Sequence, residues 1–459
     1  MTPIHELEQQ AERGNVDAQL ELAFLYRNGL RVNKSDEKAE YWTLQAAEQG
    51  YCTAIGNQYL FGYGVEQSYE KAVECYTQAA ELGDARAQNS LGFCYEDGLG
   101  VEQSYEKAVE WYTKAAEQEY APAQNNLGGC YYHGQGVEQS HKKAAEWYTK
   151  AAEQGLAQAQ YNLGLCYENG WGVVKFYIEA VKWYTKAAKL GHARAQRTLG
   201  YYYYNGKGVK KSYEKAVEWY TKAAEQGDID AQCCLGVCYN YGRGVEKSYE
   251  KAVEWYNKAA EQGNATAQCN LGDCYENGWG VKKSYEKAVE WYTKAAEQGD
   301  AQAQCNLGVC YVYGRGVEKS YEKAVEWYTK AVEQGHARAQ KKLGDCYEDG
   351  LGVEQSYEKA VEWWTKSAEQ GNTWAQRTLG YYYYNGKGVE QSYEKALRYF
   401  IKAALQGNDS SCYDIKSMAK DNEDLILKEI EYQKRKLDLD IITKEEYDKV
   451  KDLLKKYID

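Results

Sequence analysis

Apolar positions recur along this chain at helical spacing, and the helical pattern itself returns every 36 residues. In residues 84–119, Asp84 stands where an N-cap belongs, directly after Gly83. Ala87, Leu91, Cys94 and Tyr95 follow at i, i+4, i+7 and i+8, the spacing of one apolar helix face. Gly98 ends that helix, and Gly100 two residues later predicts a loop with positive φ. Ser104 then caps a second helix, with Ala108, Trp111, Tyr112, Ala115 and Ala116 at i, i+3, i+4, i+7 and i+8. The first helix of a unit is called helix A below and the second helix B.

Eleven such units are read, at 15–50, 51–83, 84–119, 120–155, 156–191, 192–227, 228–263, 264–299, 300–335, 336–371 and 372–407. The segment TLGYYYYNGKGV occurs at both 198–209 and 378–389, five periods apart. A fixed period of this size predicts stacked hairpins, each of which exposes apolar surface until a neighbour covers it. The expected fold is all-α, an α/α superhelical solenoid of helix-turn-helix repeats with a C-terminal helical hairpin. The expected boundaries are a capping helix in 1–14, repeats over 15–407, a solenoid cap over 408–420 and the hairpin over 421–459. Gly92, in mid-helix, costs about 1 kcal/mol by propensity, which close approach of a neighbouring helix would offset.

These residues resemble the Sel-one-like repeat, a relative of the tetratricopeptide repeat. Ala87, Leu91, Gly92, Tyr95, Gly98, Gly100, Val101, Ala108, Trp111, Tyr112, Ala115 and Ala116 carry the resemblance in one unit. Arg31 replaces the second loop glycine in its unit, Cys75 the tryptophan, and Glu119 the terminal glycine. The resemblance implies a right-handed superhelix that binds proteins or peptides on a concave helix-A surface. Some cysteine-rich bacterial relatives are described as secreted, disulfide-bonded and penicillin-interacting. Beyond the repeats, Ile441, Ile442, Thr443, Glu445, Glu446, Tyr447, Lys451, Leu453 and Leu454 resemble the core of the SHOCT short C-terminal domain, with Asp440 where glycine is usual. That resemblance implies an oligomerisation or docking element; a plain hairpin capping the solenoid is the other reading. Its apolar seam is expected from Ile430, Leu437, Ile442, Tyr447, Val450, Leu453 and Leu454.

Composition narrows the picture further. The net charge of −12 disfavours nucleic acid as a partner, because attraction to phosphate needs a basic footprint. No run of about 18 apolar residues predicts a membrane span. The start MTPIHELEQQAERG lacks the basic and apolar segments of a secretory signal, so a cytoplasmic location is expected, with signal-less export left open. Seven of the fourteen cysteines occupy one helix-A position: Cys94, Cys130, Cys166, Cys238, Cys274, Cys310 and Cys346. Tyr202, Tyr382 and Leu25 hold the same position elsewhere, so these cysteines are expected to pack as buried free thiols. The five histidines have no metal-ligand spacing, and no nucleophile elbow, phosphate loop or dinucleotide fingerprint appears. No catalytic residue, metal or cofactor is expected.

Function should then lie where residues vary on a fixed frame. Arg86, Asn89, Phe93 and Glu96 define a helix-A stripe opposite Leu91. In other units it becomes Arg194, Arg197, Tyr201 and Tyr204; Trp374, Arg377, Tyr381 and Tyr384; or Arg338 and Lys341 followed by Asp345 and Glu348. Arginine and tyrosine are favoured in binding hot spots, so these basic-aromatic patches are expected partner contacts, with packing between adjacent A helices as the alternative. Asn126, Asn162, Asn270 and Asn306 precede Leu-Gly. The tetratricopeptide likeness implies that such asparagines bind a ligand backbone; an inter-repeat hydrogen bond is the competing reading. The expected function is a non-catalytic scaffold or adaptor holding a protein or peptide, with an acidic segment, in a concave groove. Self-association through 421–459 is a further expectation. The rivals are a hydrolase-like activity of the cysteine-rich relatives and an exported effector that binds host proteins.

Overall fold

A computed structural model describes residues 3–28, 31–48, 52–62, 65–421, 423–439 and 441–457. Among the described residues there are twenty-six helices and no strand, from α1 (Ile4–Glu12) to α26 (Lys444–Lys455). The helices pair within repeats and the pairs stack as a solenoid. The chain divides into two compact units, Met1–Ala231 and Gln232–Asp459.

The unit 84–119 shows how the sequence builds each pair. Helix α6 (Ala85–Asp97) starts at Asp84, whose Oδ1 accepts from the Arg86 and Ala87 amides at 2.7 and 3.0 Å. It ends at Gly98, in the left-handed conformation. Helix α7 (Tyr105–Glu117) starts at Ser104, whose Oγ accepts from the Lys107 amide at 3.3 Å. Gly92 of α6 lies against the Tyr112 ring of α7, and a Cβ added there would sit 2.7 Å from two ring carbons. The close approach expected from the mid-helix glycine is therefore present. At Gly100, φ is +69° and an added Cβ would meet the Tyr69 carbonyl of the preceding unit at 2.4 Å. Glycine is required there twice over, by conformation and by space.

The core is shared between consecutive units. Ala108, Tyr112, Ala115 and Ala116 of α7 pack with Ala123, Leu127 and Cys130 of α8 (Ala121–His133), the first helix of the next unit. Beneath this apolar layer runs a glutamine spine. Buried Gln88 donates to the Ala80 carbonyl of the preceding unit at 3.0 Å and accepts from Gln118 Nε2 at 2.8 Å. Gln124, Gln196, Gln268, Gln304 and Gln376 repeat both bonds, and Gln340 accepts from Gln370 at 2.9 Å. Gln160 has only one: its Oε1 is buried without a partner, because Leu190 stands where Gln118 stands. The two residues that replace glycines, Arg31 and Glu119, keep the glycine conformation, with φ of +67° and +60°. The shortfall of the second unit lies in α4 (Cys52–Phe61), with ten residues where α6 has thirteen.

At the C-terminus, α25 (Glu423–Asp438) and α26 pack onto α23 (Tyr393–Leu405), burying Leu425, Ile426, Val450 and Leu454 with Leu397, Phe400 and Ile401. Thr443 and Glu446 form a reciprocal capping box. Of the expected seam, Tyr447, Val450 and Leu454 are buried, and Ile430, Leu437, Ile442 and Leu453 are half-buried. Asp440 lies outside the described residues.

Candidate partner-binding surface

The stripe arginines are tied into the repeat stack. On α12 (Ala193–Asn205), Arg194 and Tyr201 are exposed, while Arg197 and Tyr204 are half-buried. Arg197 pairs with Asp228 and Asp230, each at 3.2 Å. Asp228 in turn accepts from the Ala231 amide at 2.8 Å, in the first turn of α14 (Ile229–Tyr241). Tyr204 packs edge-on to Tyr213 with centroids 5.0 Å apart. On α22 (Thr373–Asn385), Arg377 Nε donates to Asp414 at 2.8 Å, and the Tyr381 hydroxyl donates to the same carboxylate at 2.7 Å. Asp414 is 7% exposed, so the arginine neutralises a buried charge. Burial, then the bond to Asp414, pushes the Tyr381 phenol up. Tyr384 packs edge-on to Tyr393, and Trp374 is 66% exposed.

On α20 (Ala337–Asp349), Lys341 pairs with Asp345 at 2.7 Å and lies 5.5 Å from the Trp374 ring centre. Arg338 Nη1 donates to Asn306 Oδ1 at 3.0 Å. Three of the four asparagines make inter-repeat bonds: Asn126 Nδ2 to Asn89 at 3.0 Å, Asn162 Nδ2 to Asn125 at 2.9 Å, and Asn306 Nδ2 to Asp273 at 3.1 Å. Asn270 is half-buried at the same position on α16 (Ala265–Asn277).

A feature not singled out from sequence lies between α6, α8 and α10 (Ala157–Asn169). The stripe position held by Phe93, Leu165 and Tyr201 is Gly129 in α8. A Cβ added to Gly129 would find its nearest neighbour, the Tyr148 hydroxyl, at 3.9 Å. The missing side chain leaves a cavity of about 420 Å³, walled by Tyr132, Tyr148 and Trp171 and edged by Asn125, Asn126 and Asn162. Tyr132 meets Trp171 edge-on at 5.1 Å. In the flanking units Tyr112 donates to Glu96 and Tyr184 to Glu168, both at 2.6 Å. In this unit the glutamate is replaced by Tyr132, and the Tyr148 hydroxyl has no hydrogen-bond partner among the described residues. The cavity therefore offers a phenol donor, amides of the asparagine row and the Glu96 carboxylate. The legible sign was the Gly128-Gly129 doublet, where most other units have one glycine.

The chemistry elsewhere is quiet. The fourteen cysteines are thiols, and burial pushes those of Cys130, Cys166 and Cys274 up to about 12. No group of three or more His, Cys, Asp or Glu residues is arranged to hold a metal among the described residues. No described helix is long and apolar enough to cross a membrane.

The Sel1 repeat model matches eleven consecutive segments from residue 16 to residue 408. The chain belongs to the Sel1-repeat family. Sel1-repeat proteins are in general protein-interaction scaffolds. The structure is similar, with a TM-score of 0.77 and 37% identity, to a protective antigen of uropathogenic Escherichia coli strains that displays an SLR fold; the match covers 100% of this chain and 95% of that one. A Sel1 repeat protein from Oxalobacter formigenes is 39% identical over 53% of this chain and 96% of that one, with a TM-score of 0.49. A component of the ERAD-associated E3 ubiquitin-protein ligase, HRD3B of Arabidopsis thaliana, is 38% identical over 91 residues, which cover 19% of this chain and 14% of that protein. The chain thus matches about one seventh of that relative's length.

Proposed function

We propose that this chain is a non-catalytic scaffold that holds a segment of a partner protein against its helix-A face, with the Gly129 cavity receiving one anchoring side chain. The observation that carries the reading is the cavity itself. It combines aromatic walls with a phenol donor left without a partner, and hot spots concentrate where an anchor fills such a site. A carboxamide anchor suits it, accepting from Tyr148 and donating to Glu96. The exposed Arg194, Tyr201 and Trp374 offer further contacts, and the arginine favours an acidic stretch in the partner. In this reading Arg197 and Arg377 position their neighbours through the ion pairs described above. Self-association through 421–459 belongs to the same proposal; it would use the exposed Leu439 and Ile441, since the seam is covered by α23. The ligase membership of HRD3B is in keeping with an assembly role for the repeat.

Gly129→Leu tests the reading, because it fills the cavity while keeping the helix. Proteins captured from native lysate and cross-linked to α8 or α10 on the wild-type chain should be lost from the variant. Retention of the same cross-linked proteins would refute the anchor, and turnover in a broad hydrolase screen would refute the non-catalytic reading.

A further inference from the structure

The C-terminal helices enclose a second cavity, of about 510 Å³, between α23, α25 and α26. Its volume is in the range of small-molecule sites. Five cations line it, Lys395, Arg398, Lys402, Lys436 and Lys449, against one lining carboxylate, Glu446. Two of the five are neutralised: Arg398 by Glu429, which is 3% exposed, at 2.9 Å, and Lys449 by Glu445 at 2.7 Å. Lys395, Lys402 and Lys436 have no ion pair among the described residues. Each instead lies near a tyrosine ring, at 5.1 Å from Tyr383, 5.4 Å from Tyr399 and 5.8 Å from Tyr432. Tyr383 and Tyr399 are stacked, 5.7 Å apart and 11° from parallel. The Arg398 guanidinium covers Tyr432 at 3.8 Å.

Three ammonium groups without a close ion pair thus line one concavity of a chain of net charge −12, with Lys436 facing the Glu446 carboxylate. Lys395 and Lys402 stand where most repeats carry a lysine beside an aromatic ring, as Lys107 over Tyr95 and Lys114 over Trp111, and α25 adds Lys436 to them here. We infer that this cavity binds an organic phosphate of nucleotide size. The argument for phosphate over carboxylate lies in the donors. The forked guanidinium that matches a carboxylate is already engaged by Glu429, whereas the free groups are lysines, which act as point charges toward a multiply charged phosphate. The aromatic walls favour a ligand with a flat body beside its anionic head. This site is separate in residues from the Gly129 cavity and stands or falls independently of it.

Titration calorimetry of the full chain with ADP, pyrophosphate and citrate tests the inference. ADP should bind at one site, pyrophosphate more weakly, and citrate at least tenfold more weakly than pyrophosphate. Lys395→Gln/Lys436→Gln should lower ADP affinity at least tenfold with unchanged circular dichroism, and Lys395→Arg/Lys436→Arg should restore most of it. Absence of ADP binding at millimolar concentration would overturn the proposal. So would unchanged affinity in the glutamine variant, citrate binding as tight as pyrophosphate, or binding of a phosphoserine peptide with none of ADP.

Discussion

Gly128 and Gly129 are consecutive residues of one helix, yet alanine substitution should move stability in opposite directions. A glycine in a helix interior costs about 0.8–1.0 kcal/mol relative to alanine, so each substitution starts with a gain of that size. At Gly129 the new Cβ would lie 3.9 Å from the Tyr148 hydroxyl, an ordinary contact, and the gain should appear nearly whole. At Gly128 the same atom would lie 2.8 Å from two Tyr148 ring carbons and 3.3 Å from the Ala144 carbonyl. Tyr148 is buried and cannot swing away, so overpacking of about 1–3 kcal/mol applies. A gap this tight belongs in the upper part of that range, leaving Gly128→Ala net destabilising by about 1–2 kcal/mol. The two variants should therefore differ by about 2–3 kcal/mol. A repeat array need not unfold in one step, so peptide-resolved hydrogen exchange across α8 is the suitable assay. Exchange should slow about fivefold in Gly129→Ala and speed up in Gly128→Ala. If both variants shift the same way, the assignment of one glycine to helix contact and the other to an open cavity is wrong.

Other substitutions test other parts of the frame. Leu190→Gln should give Gln160 its missing donor and stabilise the neighbouring repeats by about 1 kcal/mol, since Leu190 is 58% exposed and contributes little burial; exchange protection there checks it. Glu119→Gly should relieve a left-handed non-glycine residue and raise local stability by about 1 kcal/mol, read in the same experiment. Arg377→Ala should destabilise by about 3 kcal/mol by stranding buried Asp414, and Arg377→Ala/Asp414→Ala should be less damaging than the single change; urea unfolding of both decides it. Denatured, unreduced protein should titrate with close to fourteen thiols. In the native protein at pH 8, Cys94 and Cys166 should react slowly, because thiols pushed by burial up to about 11 and about 12 are protonated there.

The sequence made the frame readable because each frame residue answers to a local rule. Asp84 and Ser104 are caps, Gly98 ends a helix in the left-handed conformation, and Gly92 marks where Tyr112 comes close. Those rules act within one unit, so one unit suffices to read them. The glutamine spine was not read, although a glutamine follows the Ala-x-Ala pair in nearly every unit. Its reason is a partner 30 residues away, Gln118 for Gln88, and periodicity alone does not distinguish a buried amide from a solvated one. The stripe arginines show the same limit. Arg197 and Arg377 stand on the helix-A stripe, but Asp228, which engages the first, belongs to the next unit, and Asp414, which engages the second, to the segment after the last repeat. Variation at these positions therefore mixes two causes, since each new pairing between neighbouring repeats changes the stripe as surely as each new contact with a partner. Gly129 separates them. A glycine supplies no pairing to the next repeat and costs helix stability, so its presence at a stripe position has no structural gain in the stack to explain it. What it leaves behind is room, next to a tyrosine hydroxyl deprived of its glutamate. One departure from the repeat, the side chain missing at Gly129, and one difference from the two flanking units, the absent glutamate acceptor, meet at the same cavity, and that convergence is the reason to look for the partner there first.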